Sequence, residues 1–170
     1  MNQLKEWGFS AQWWRGDRGE YWVILQIVLF IAFVILPIYP NGAIATLSTA
    51  WQYGLLGVAA LLGLIAVSLL ISGVMALGTN LTPLPHPKDE GRLVTSGVYG
   101  LVRHPIYSSV IFAAIAYSLW QLSLSHAIGA VILFLFLDLK ARQEESWLME
   151  KFSDYEVYRS QVKKLIPWLY

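Results

Sequence analysis

The sequence predicts an all-α, polytopic integral membrane protein of about four transmembrane helices, with interfacial N- and C-terminal helices. Composition is the first reason. Of 170 residues, 56% are hydrophobic and only 14% charged. With a mean hydropathy of +0.53, that is too apolar for a soluble domain of this size. The second reason is length: a helix needs roughly 20 apolar residues to cross the hydrocarbon core, and several stretches approach or exceed that. The third is the sorting of charge. Lys5, Arg15 and Arg18 precede the first stretch, and Lys88, Arg92 and Arg103 lie between the second and third. Lys140, Arg142, Lys151, Arg159, Lys163 and Lys164 follow the last, while 39–50 and 121–126 hold no Lys or Arg. The positive-inside rule then places both termini and the 78–105 loop in the cytoplasm.

Residues 1–20 are polar and carry Trp7, Trp13 and Trp14, with Trp22 just beyond. Indoles favour the headgroup layer, so this leader reads as interfacial. The first span, 21–38, has no charge and ends around Pro37. Ala43-Ile44-Ala45 has the spacing of a signal-peptidase site, but the polar leader and the long apolar run argue against cleavage. The second span, 51–77, is uncharged and long enough to tilt. Its Gly54, Gly57, Gly63, Gly73 and Gly78 suit close helix approach, within the chain or against a second copy. In the 78–91 linker, alternating Pro83, Pro85 and Pro87 favour an extended path. Such a strut is either a stiff connector or a cover over a pocket, and its His86 reads as solvated.

The third span, 106–124, begins after Pro105, whose missing N–H suits a first helical turn. The fourth, 127–139, is short and carries Asp138, so its helix is expected to run on past the membrane. Glu144, Leu148 and Phe152 share a face there. Tyr155, Tyr158, Val162 and Ile166 continue the apolar stripe, with Lys163, Lys164 and Trp168 at the headgroups, until Pro167 stops the helix.

The composition excludes several chemistries. There is no cysteine, hence no disulfide, thiolate nucleophile or Cys-based zinc site. The histidines His86, His104 and His126 are scattered, and no metal site is expected. A net charge of +1 without a basic stripe gives no reason to expect nucleic acid.

Two polar clusters interrupt the hydrocarbon at one end of adjacent spans. In Arg103-His104-Pro105, His104 falls near a helix N-cap, where free N–H groups and the positive dipole end suit a carboxylate or hydroxyl. Tyr99 and Tyr107 offer flat walls for a purine or a sulfonium, and Gly97 and Gly100 allow close backbone approach. An ordinary interfacial turn is the competing reading. In the 140–145 cluster, Lys140 with Glu144 and Asp138 with Arg142 have i, i+4 spacing, the pattern of routine surface salt bridges. Leu148 and Phe152 on the Glu144 face argue instead that this carboxylate points inward.

The run Leu93-Val94-Thr95-Ser96-Gly97-Val98-Tyr99, the box Arg103-His104-Pro105-Ile106-Tyr107, and Glu144-Glu145-Ser146-Trp147-Leu148 with Phe152, Tyr155 and Tyr158 resemble the isoprenylcysteine carboxyl methyltransferase family. They also resemble its bacterial and phospholipid methyltransferase relatives; the compact chain suits a bacterial member. The likeness runs from Gly78 to Pro167, about half the chain, and rests on both boxes together, since either alone is weak. It implies a membrane-embedded S-adenosylmethionine-dependent methyltransferase, with residues 78–170 as the catalytic region and 1–77 as leader and first two spans. It implies that Arg92, Leu93, Val94, Tyr99, His104, Pro105, Ile106, Tyr107 and Glu144 bind the cofactor. The family's substrate-holding arginine falls on Lys140, which keeps the charge but loses the bidentate fork. Gly100 also departs, standing where relatives often carry a basic residue.

The implied mechanism is direct displacement on a sulfonium methyl by a nucleophile entering from the lipid. A carboxylate needs no base, so positioning and exclusion of water suffice. An amine or thiol would call on Glu144, Glu145 or His104. The expected partners are membrane lipids and a lipophilic or lipid-linked acceptor. The alternatives are an NADPH-dependent lipid reductase, which usually has more spans, and a non-catalytic membrane protein retaining the fold.

Overall fold

The computed structural model describes residues 13–39 and 48–170, and within them all regular structure is helical. The main helices are α1 (Glu20–Ile35), α2 (Thr49–Leu77), α3 (Pro105–Trp120), α4 (Leu124–Lys151) and α5 (Tyr155–Gln161), with short 3₁₀ turns at Gly78–Asn80 and Gly97–Gly100. The leader at 1–12 and the Ala43-Ile44-Ala45 site lie outside the described residues.

Two helices, α2 and α4, are long and apolar enough to cross a membrane. At 29 and 28 residues they reach about 40 Å, beyond the ~30 Å hydrocarbon core. The other apolar helices, α1 and α3, have 16 residues each, or about 24 Å. The first ends two residues before Pro37, whose ring disfavours helical geometry in the preceding residue. The helices pack in the order α2, α3, α4, α1. Ile111, Phe136, Leu137 and Leu165 form one core cluster, against which Trp22 and Leu29 of α1 pack. Ala114, Ala130 and Leu133 form a second, under Phe30 and Phe33.

Small residues set these approaches, on α2 at only one of the glycines the sequence suggested. Of the glycines on α2, Gly54, Gly57 and Gly63 face open space, as does Gly78 beyond its end. Gly73 alone makes a close contact: a Cβ there would lie 3.0 Å from Ile106 and 3.2 Å from Pro105. Gly129 does the same for α1, since its Cβ would meet Phe33 at 2.9 Å. Residues on the other faces of α2 project outward because α3 covers only one side, which fits a helix solvated by lipid.

The C-terminal region departs from the expected continuous helix. The last long helix runs through Glu144 but stops at Lys151, with Phe152 already extended. The seven-residue α5 then ends at Gln161, and residues 162–170 fold back without regular helix. There the backbone N–H groups of Arg103 and His104 donate to the carbonyls of Lys163 and Lys164, at 2.8 and 3.1 Å. Leu165 enters the core fully buried. A helix running on to Pro167 would have left those carbonyls among its unpaired last four, since proline has no N–H to donate, and carried Leu165 away from its pocket.

Candidate functional site

The middle of α1, the C-terminus of α2, the start of α3 and the second half of α4 meet at one end of the bundle. They enclose a cavity of about 460 Å³, within the range of small-molecule sites. Its roof is the proline strut: residues 81–88 line it, with Leu84 and Pro85 buried beneath. The strut is pinned from several sides. Lys151 donates to the carbonyls of Lys88 and Asp89, Lys88 Nζ donates to the Thr79 carbonyl at 2.7 Å, and the Arg92 N–H reaches Asn80 Oδ1 at 3.1 Å. His86 is not merely solvated. It lines the cavity, with its ring 5.4 Å from that of Trp147.

Arg92, Leu93, Val94, Tyr99, His104, Ile106, Tyr107, Lys140 and Glu144 all face this cavity. Pro105 does not; it is fully buried behind the wall, against Gly73. Gly97 and Gly100 also stay out of the lining. Gly97 instead supplies the positive φ of +63° that its turn requires. The Tyr99 carbonyl accepts from Tyr158 Oη at 2.6 Å, which fixes that turn on α5.

Pro105 is the first residue of α3 and His104 its N-cap. The imidazole of His104 is stacked on Tyr107, with centroids 5.3 Å apart and planes within 1°. Tyr107 Oη donates to Glu144 Oε2 at 2.7 Å. The Glu144 side chain stays 26% exposed, with its second oxygen free to accept from a ligand. Tyr99, Phe152, Tyr155 and Tyr158 complete an aromatic wall around it. Burial, then the charge of Glu144, pushes the Tyr99 phenol well above its ordinary range. Tyr155 and Tyr158 are pushed up likewise, burial first. All three are therefore neutral hydroxyls at neutral pH.

The adjacent carboxylate does different work, which spacing alone did not reveal. Glu145 is 3% exposed. Its Oε1 accepts from Arg103 Nε at 2.8 Å and lies 3.1 Å from His104 Nε2. The Arg103 guanidinium also donates to the carbonyls of Arg159 and Val162. Arg103 borders the same cavity, but it spends its donors tying α4 to α5 and the tail. Asp138 and Arg142 form the expected i, i+4 pair at 2.8 Å, joined by Lys164 and by Tyr170 Oη. Lys140 does not follow the surface salt-bridge pattern. It is 2% exposed, and its Nζ donates to Gln26 Oε1 of α1 at 2.5 Å. Gln26, a polar residue midway along an apolar helix, was the one available signal that α1 takes part.

Such a fold and site define a helical membrane protein with a strut-covered small-molecule cavity at one end of its bundle. Residues 42–155 match the phospholipid methyltransferase family, and the chain belongs to that family. It is similar to the probable protein-S-isoprenylcysteine O-methyltransferases of Oryza sativa subspecies indica and japonica. Each is 31% identical over 86 residues, which is 49% of this chain and 45% of the relative. The chain therefore aligns with less than half the length of these curated relatives. Its fold resembles that of the eukaryotic intramembrane Ras methyltransferase ICMT (isoprenylcysteine carboxyl methyltransferase). The TM-score is 0.61 at 20% identity, covering 90% of this chain and 54% of that one.

Proposed function

We propose that the protein is an S-adenosylmethionine-dependent methyltransferase acting on a lipophilic or lipid-linked acceptor, with α1–α4 as four spans and the cavity facing the cytoplasm. The observation that carries this reading is the Glu144 carboxylate. It is oriented by Tyr107 and faces an aromatic-walled cavity at the ends of apolar helices. The donor set fits the cofactor. Glu144 accepts from hydroxyl or amino groups, while the faces of Tyr99, Tyr107, Phe152 and Tyr155 suit an aromatic base and a sulfonium cation. Arg92, Leu93, Val94 and Ile106 add contact surface, and His104 holds the Tyr107 ring in place. Pro105 contributes by fixing the start of α3.

When bound, the cofactor supplies an electrophilic methyl group. The protein's own contribution is positioning and dryness. The strut excludes water from above, and the neutral tyrosines add polar contacts without a competing negative charge. Lys140, beside the carboxylate-bearing face, supplies a cation for an anionic acceptor. Gln26, Val74 and Leu77 bring the first two helices into the same cavity, so the catalytic region at 78–170 is completed by 1–77.

Calorimetric titration of detergent-purified protein with S-adenosylhomocysteine, with NADPH for comparison, tests this reading. Saturable binding of the first alone is expected, with affinity lost in Glu144→Ala and His104→Ala. A folded, monodisperse sample that ignores S-adenosylhomocysteine, or binds NADPH instead, refutes it.

A further inference from the structure

Gln26 lines the cavity and reaches across from α1 to the buried amine of Lys140. Lysine only donates, so the Gln26 atom facing it must be the carbonyl oxygen. That leaves the amide Nε2, with two N–H groups, without a partner among the described residues. Two of the three Lys140 protons are likewise uncommitted to a hydrogen bond, and the ammonium sits 5.2 Å from the Tyr107 ring centroid. Both side chains line the cavity. The result is a pair of adjacent donors, one charged and one neutral, held by different helices and opening into the same space.

We propose that Gln26 and Lys140 together form a two-donor clamp for the carboxylate of the acceptor. One carboxylate oxygen takes an N–H of Lys140 and the other an N–H of Gln26. A lone lysine is a point charge and cannot supply the planar fork of an arginine; the neighbouring amide provides the missing second donor. Gln26 is thus a specificity-determining residue contributed by the first span, and it selects a planar anion over a neutral ester. The inference rests on the methyltransferase reading for its biological sense. Its physical content, selective binding of a carboxylate, can be measured separately.

The competing role for Gln26 is structural: an acceptor that satisfies a buried ammonium. Gln26→Glu separates the two. A glutamate satisfies Lys140 at least as well and keeps the fold, but it places a negative charge where the carboxylate must sit and removes the amide donor. The probes are N-acetyl-S-farnesylcysteine and its methyl ester, titrated into the detergent-solubilised protein. The parent is expected to favour the acid by about tenfold or more, the value of a hydrogen bond to a charged group. Gln26→Glu abolishes that preference with no loss of thermal stability, and Gln26→Leu weakens it. Both variants keep the parent's affinity for S-adenosylhomocysteine.

A parent that binds acid and ester alike, or neither, overturns the clamp. So does a folded Gln26→Glu that still prefers the acid. Failure of the methyltransferase reading appears elsewhere, as a parent with no affinity for S-adenosylhomocysteine.

Discussion

Neighbouring glutamates on α4 should fail in opposite ways. Glu145 accepts from the Nε of Arg103 at 2.8 Å, and the side chains of this pair are 8% and 4% exposed. Glu145→Ala leaves the guanidinium buried without its counter-ion and removes the carboxylate beside His104. Stranding one member of a buried pair costs roughly 3–5 kcal/mol. The carbonyls of Arg159 and Val162 still accept from Arg103, which favours the lower end, about 3 kcal/mol. For a chain of this size each kcal/mol is worth about 2–4 °C, so the melting temperature should fall by about 6–12 °C. Glu144→Ala removes a cavity-facing carboxylate that is 26% exposed, hydrogen-bonded to Tyr107 and 3.8 Å from His104 Nδ1. It should cost about 1 kcal/mol or less of stability but lose affinity for S-adenosylhomocysteine. Thermal unfolding in detergent, paired with calorimetry, reads both effects. Equal melting temperatures for Glu145→Ala and the parent, or a Glu144→Ala that unfolds as early as Glu145→Ala, would refute this division of labour.

Gly73→Leu should destabilise the α2–α3 contact by about 1–3 kcal/mol through overpacking, whereas Gly57→Leu, which meets nothing within 4 Å, should be close to neutral; equal effects would contradict the packing described. The phenols of Tyr99, Tyr155 and Tyr158 are raised in the fold. Their contribution is therefore fully present below the unfolded tyrosine value and lost as pH rises beyond about 10. Melting temperature followed across alkaline pH should hold to that point and then fall, and a fall beginning near neutrality would point to other groups. Lys151→Met releases the strut from its hold on the Lys88 and Asp89 carbonyls, so bound S-adenosylhomocysteine should dissociate about tenfold faster. An unchanged off-rate would show that the strut does not retain the ligand.

The sequence alone determined that this chain is helical and membrane-embedded, because hydrophobicity accumulates residue by residue and needs no partner to be read. It also placed the α3 entrance. Pro105 carries its own backbone constraint, so a helix starting there follows locally. The inward turn of Glu144 was legible from Leu148 and Phe152, since one turn of helix relates them. The roles within each polar box were not legible. Glu144 and Glu145 are neighbours about 100° apart around a helix, and only the packing of α3, α5 and the tail decides that one faces a cavity and the other a buried arginine. The end of the C-terminal helix was missed for a related reason: its apolar stripe is real, but the carbonyls of Lys163 and Lys164 find better partners in Arg103 and His104. Gln26 meets Lys140 across 114 residues of chain. No local pattern encodes such a contact, because it exists only once Gly129 lets α1 settle against α4.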